Sequence, residues 1–299
     1  MADGMDTFER RLNSTRAQLE TVEKELDSWT AKTAQERQSS STRMLFTLLD
    51  TLYSQILDEA FRDFSPNEKG WEIRCSILHT FLCTAERTST SVVADLLFTS
   101  DYTDVAEKLL LDLDTVLYRQ HGRVLAYHKS FSDFIFDEDR SGIFWCNRAM
   151  HHRVLADACF RCMKDGLRFN IANIRSSSVF DVDPMLADAV KENIHPVLEY
   201  SCHNWSYHVS AAAWIIPDAL HNSISDFLKL RALFWIEAMN LLRLCGLCGS
   251  MLQTVHDWVI SSQVSILSFK YPMTDLPCHL GKLVISRRVN GGPIFCIIF

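Results

Sequence analysis

Glycine and proline are scarce in this chain, ten and seven in 299 residues. Apolar residues meanwhile recur at intervals of three and four over most of its length. Together these features constrain the fold more than any other. Short strands joined by tight turns need Gly and Pro, so a β-sandwich or barrel is disfavoured and long helices are expected. The balance of 47% apolar and 22% charged residues is that of a globular protein. A formal charge of −7 argues against a broad basic face for nucleic acid.

Residues 5–38 read as one helix. Phe8, Leu12, Thr15, Leu19, Val22, Leu26 and Trp29 follow a heptad seam, with charged residues on the other faces. Two readings stand: self-association as a coiled coil, or an amphipathic helix packed on the chain's own body. "RQSSSTR" at 37–43 reads as a polar linker closing a first segment, 1–43. Residues 44–67 read as a connecting helix, broken by "SPNEKG". Over 68–140 the pattern is helix, helix, helix, strand, turn, strand. "RTST" supplies an N-cap, and "QHGR" the turn. That order outlines a winged helix. Residues 141–262 are a string of helical patterns with scattered Trp and no clean repeat period, an arm like an α-solenoid. Residues 263–299 lose periodicity and read as an irregular tail. The fold class expected is mainly α: a winged-helix unit with a small hairpin, a helical arm after it and a long helix before it.

The chemistry-bearing residues point away from catalysis. Cys159/Cys162 and Cys245/Cys248 have CxxC spacing, but the pairs are too far apart for a compact zinc module and lie in apolar runs. Buried thiols packing as small hydrophobes is the favoured reading. His151 and His152 are adjacent, so on a helix they point about 100° apart and cannot share one ion. His195, His203 and His208 lack acidic partners at a ligand spacing. No metal site and no cofactor are expected. There is no GxSxG elbow, no GxxxxGK[ST] and no GxGxxG. The polar N-terminus is unlike a secretory leader, and no apolar run reaches the ~20 residues of a membrane span. A reduced cytoplasmic setting is expected for the ten cysteines, with no membrane association. The helices before the hairpin are neutral to acidic, so phosphate backbones would be repelled and no nucleic-acid partner is expected.

One stretch stands apart. In "RVLAYHKSFSDFIFDEDRSGIFWCNRAMHHRVLADACFRCMKDGLRFNIANIRSS" (123–178), His128 sits where a strand gives way to a helix. This segment resembles fungal STAND-class signalling ATPases that join a NACHT domain to WD repeats. In that family an "LHxSFxDFL…RS" segment ends the winged helix and an "HHxxLAxxCFxxMxxxLRxNI" helix follows. "LDTLYSQILDEAF", "ILHTFLCTAERTSTSVVADLL", "HPVLEYSCHNWSYHV" and "FLKLRALFWIEAMNLL" extend the likeness over 45–262. Tyr127 and Ile135 stand where the family has Leu.

The resemblance implies a switch of the innate-immunity type. A NACHT core binds ATP or ADP, the winged helix closes over the nucleotide, and the arm leads to a sensor. It also implies that His128 touches a nucleotide phosphate when such a core is supplied. The Walker motifs and WD repeats do not occur here, so the chain reads as the middle of a larger switch, a truncation or an incomplete gene model. The function expected is a non-enzymatic interaction or regulatory fragment, with protein partners that include a full-length NACHT relative. The alternatives are a hydrolase using a Cys or His of the helical body, and a nonfunctional truncated paralogue.

Overall fold

A computed structural model describes residues 13–26, 40–97, 102–174, 184–213 and 219–270. Helix α1 covers 13–26. Helix α2 spans Ser40–Phe61 and α3 Lys69–Cys83, separated by the loop that holds Pro66, which has no N–H to continue a helix. Helix α4 (Thr90–Leu96) starts at Ser89, whose hydroxyl accepts from the Val92 N–H at 3.3 Å. Helix α5 follows at Tyr102–Asp112.

Strands β1 (Leu117–Gln120) and β2 (Arg123–Ala126) pair antiparallel, with Gln120 opposite Arg123. Only His121 and Gly122 remain to turn the chain, and both have positive φ, 52° and 75°. That is the backbone of a type I′ turn, which suits Gly at its second position. Three helices and then a hairpin therefore occupy 69–126, the order expected from the sequence.

Next come α6 (Lys129–Ile135), α7 (Glu138–Ser141), a short 3₁₀ turn and α8 (Arg148–Gly166). Helices α9 (Pro184–Asn193), α10 (Pro196–Ala211), α11 (Ala219–Leu230), α12 (Ala232–Leu241) and α13 (Cys248–Lys270) complete the described chain. The molecule is mainly helical with one two-stranded sheet. Among the described residues, no helix is long and apolar enough to cross a membrane.

Two expected boundaries move. The "linker" at 37–43 is helical from Ser40, because nothing in "SSTR" breaks a helix and Ser and Thr suit its first turn. The "tail" from 263 is helical to Lys270, since neither Gly nor Pro interrupts the ladder between Gly249 and Pro272. Residues 271–299 lie outside the described residues.

The buried side chains form one connected apolar cluster running from α1 to α13. Trp205, Phe160, Phe227 and Trp235 meet at its arm end with ring centroids 4.9–5.7 Å apart. The Trp235 indole N–H donates to the Cys202 carbonyl at 2.9 Å. Helices α8 and α10 approach closely where Gly166 faces Leu198: a Cβ there would lie 2.8 Å from a Leu198 methyl. At the other end, Arg74 is 1% exposed. Its guanidinium donates to the Ala60 carbonyl at 2.8 Å and to Asp112 at 2.6 Å, with Phe61 and Phe64 against it.

The heptad seam is settled where it is described. Leu19, Val22 and Leu26 are buried in the common core. Arg16 donates to the Tyr127 hydroxyl at 2.8 Å and lies over its ring. These seam positions are thus covered by the chain's own body. Phe8, Leu12 and Trp29 lie outside the described residues.

Candidate functional site

His128 stands two residues past β2, half-buried, as the N-cap of α6. Its Nδ1 accepts from the Ser130 N–H at 3.1 Å and lies 2.6 Å from the Ser130 hydroxyl. A nitrogen that accepts from an amide carries no proton, so the neutral ring holds its proton on Nε2. Behind it, Ser130 meets the Tyr53 hydroxyl at 2.6 Å, and Tyr53 donates to Glu23 at 3.4 Å. Burial raises the Tyr53 phenol and keeps it protonated.

The wall behind is apolar. Phe131 and Phe134 are 1% and 0% exposed and pack on Tyr53 at 5.2 and 5.5 Å. Arg140 closes the segment by gripping Asp50 of α2 through Nε at 3.1 Å and Nη2 at 2.6 Å. A cleft of about 500 Å³ lies along β2, with Arg87, Arg123 and Glu86 at its rim and Ser132 of α6 at its side.

The structure brings a serine and a histidine together, which the sequence left open, but not as an exposed pair. Ser130 is 6% exposed and its oxygen is held between the phenol and the imidazole.

The other singled-out residues separate. His151 and His152 point to different partners, as their spacing requires. His152 Nδ1 lies 3.0 Å from His208 Nδ1, and His208 Nε2 lies 2.8 Å from the Tyr200 hydroxyl. Arg148 donates to His152 Nε2, so the protons run outward from there: His152 Nδ1–H to His208, and His208 Nε2–H to Tyr200. Burial, then the neighbouring His152, lowers His208 to about 3. His195 caps α10 without a side-chain bond, and His203 lies 3.6 Å from Glu86.

Cys159 is fully buried in α8, and burial raises both its thiol and that of Cys162. Cys245 and Cys248 do not share one α-helix. Cys245 opens a 3₁₀ turn that contains Gly246, and Cys248 is the first residue of α13. Burial also raises Cys75, Cys202 and Cys248, each to about 12.

One constellation was not read from the sequence. Ligand atoms of His79, Cys146 and His151 lie within 4.8 Å of one another, the one such group among the described residues. The signal was present in α3, where Cys75, His79 and Cys83 recur every fourth residue on one face. Its counterpart, Cys146 and His151, is distant in sequence and was not set beside it. Cys83 joins through Cys146, the two sulfurs being 3.9 Å apart. Burial lowers both His79 and His151, the latter to about 3.

Comparison with known protein families, curated proteins and solved structures finds no match to this chain.

Proposed function

We propose that this chain is a non-enzymatic regulatory module of a NACHT-type signalling ATPase. In this reading residues 68–140 are a winged-helix lid and 141–262 an arm that relays its position. The nucleotide is held by a NACHT core supplied elsewhere in the protein or by a partner chain.

The observation that carries the reading is the tautomer of His128. Capping α6 through Nδ1 places the neutral ring's proton on Nε2, at the exit of a hairpin that follows three helices. A phosphate oxygen of a nucleotide accepts from such an N–H. A contact that distinguishes nucleotide states biases a two-state switch. Arg87 and Arg123, with Glu86 beside them, line a cleft along β2. Large apolar side chains left in water support a protein partner: Phe169 is 79% exposed, Leu233 70% and Leu230 62%.

The decisive measurement is ATP turnover by the purified chain, alone and with a NACHT ATPase present. We expect no turnover alone. With the ATPase we expect a complex whose nucleotide release is altered, and His128→Ala reverses that change. Turnover by the chain itself overturns the reading.

A second reading, a hydrolase, draws on the Ser130–His128 contact of 2.6 Å. The burial of Ser130 and the upward shift of six thiols weigh against it. Labelling of Ser130 by a serine-directed fluorophosphonate would favour it.

A further inference from the structure

We infer that His79, Cys83, Cys146 and His151 form a structural zinc site that staples α3 to the start of α8. The inference is independent of the function proposed above. Its first support is the donor set. Two thiols and two imidazoles are the composition of closed tetrahedral zinc sites, and soft sulfur with borderline nitrogen selects zinc over magnesium or calcium.

The second support is distance. Zinc–sulfur bonds of about 2.3 Å in a tetrahedron place two thiolates about 3.8 Å apart. The Cys83 and Cys146 sulfurs lie 3.9 Å apart, far from the bonding distance of a disulfide. His79, Cys146 and His151 fall within 4.8 Å of one another, so a contraction of about an ångström brings these three onto one ion, and Cys83, which reaches the group through the Cys146 sulfur, must turn toward the two rings to complete the shell.

The third support is how the rings are held. His79 Nε2 lies 3.0 Å from the Phe144 carbonyl, which can only accept, so Nε2 carries the proton. His151 Nε2 lies 2.9 Å from the Thr80 hydroxyl. That hydroxyl gives its own proton to the Ser76 carbonyl at 2.7 Å, so it accepts from His151. Each ring therefore has a fixed Nε2–H and a lone pair on Nδ1. An imidazole that binds metal through one nitrogen while its other N–H is anchored to a carbonyl or hydroxyl is the usual outer-shell arrangement. Thr80 sits one residue after His79, so α3 supplies two ligands and the anchor of a third.

Binding is balanced. Zinc(II) replaces the protons of two thiols, two protons leave to solvent, and the two imidazoles bind neutral. The site carries no net charge, which suits its half-buried position. No electron is transferred.

The test uses the full chain, expressed with added zinc and purified under reducing conditions without chelator. We expect about one zinc per chain by elemental analysis. Replacing zinc with cobalt(II) should give thiolate-to-cobalt charge transfer and the visible bands of a tetrahedral ion. Chelation should lower Tm by about 5 °C or more. Cys83→Ser and His151→Asn should each lose the cobalt bands, while Cys162→Ser and Cys245→Ser keep them. Should the ligand variants fold poorly, the wild-type cobalt spectrum and chelator melt decide alone. Three results overturn the inference: zinc well below one per chain with no cobalt bands, metal lost in the Cys162 variant and kept in the Cys83 variant, or a Cys83–Cys146 disulfide in place of metal.

Discussion

Two buried polar groups show how single side chains are held in this molecule. Arg74 is a cation with 1% exposure, tolerated because Asp112 and the Ala60 carbonyl answer it. Asp112→Asn keeps the shape and removes the counter-charge. Breaking a buried pair costs ~3–5 kcal/mol, and Asp112 is 30% exposed, so a loss of about 3 kcal/mol is expected in urea unfolding. Among the described residues, the groups against His208 carry no negative charge. It faces Tyr200 on its own helix and His152 on α8, with Arg148 behind. Above about pH 6.5 the ring is neutral folded or unfolded and pH has no effect through it. Below that the unfolded chain binds a proton that the folded ring refuses until about pH 3. Stability therefore falls as pH falls, by up to ~1.4 kcal/mol per pH unit for this ring. Between pH 7 and pH 5 the loss through His208 should be about 2 kcal/mol, and His208→Gln should remove that share of the slope.

The β-hairpin is the clearest case of local chemistry fixing a structural unit. Gly122 has φ of 75° with open space around it, so Gly122→Ala adds only backbone strain. A cost of ~1–2 kcal/mol is expected from the left-handed conformation, read as a shifted denaturant midpoint with unchanged m-value. This unit was also the most legible. "HG" between two apolar runs announces the turn, "RTST" announces the cap of α4, and His128 falls where the strand ends and α6 begins. Boundaries resting on composition alone were less legible. Ser40, Ser41 and Thr42 look like a linker, yet they open α2, because Ser and Thr suit a helix start as well as a loop. The zinc-type cluster was least legible. His79 and Cys83 come from α3 while Cys146 and His151 come from the entry to α8. Only tertiary packing sets these two pairs side by side, and no spacing within either segment states it.

Helix α1 decides how the hairpin end meets its surroundings. Its seam residues are buried in the common core, so Leu19→Ala should act as a core truncation. A loss of about 3 kcal/mol is expected, with the mass in light scattering unchanged from the parent. A change in oligomeric state instead would mean that Leu19 serves a second copy. The contacts of α1 also have a place. Arg16 holds Tyr127, the residue before His128, and Glu23 holds Tyr53, which in turn holds Ser130. The first helix is thus clasped to the ledge from which the imidazole would reach a phosphate. Any shift of that ledge is therefore felt by the first helix through Tyr127 and Tyr53.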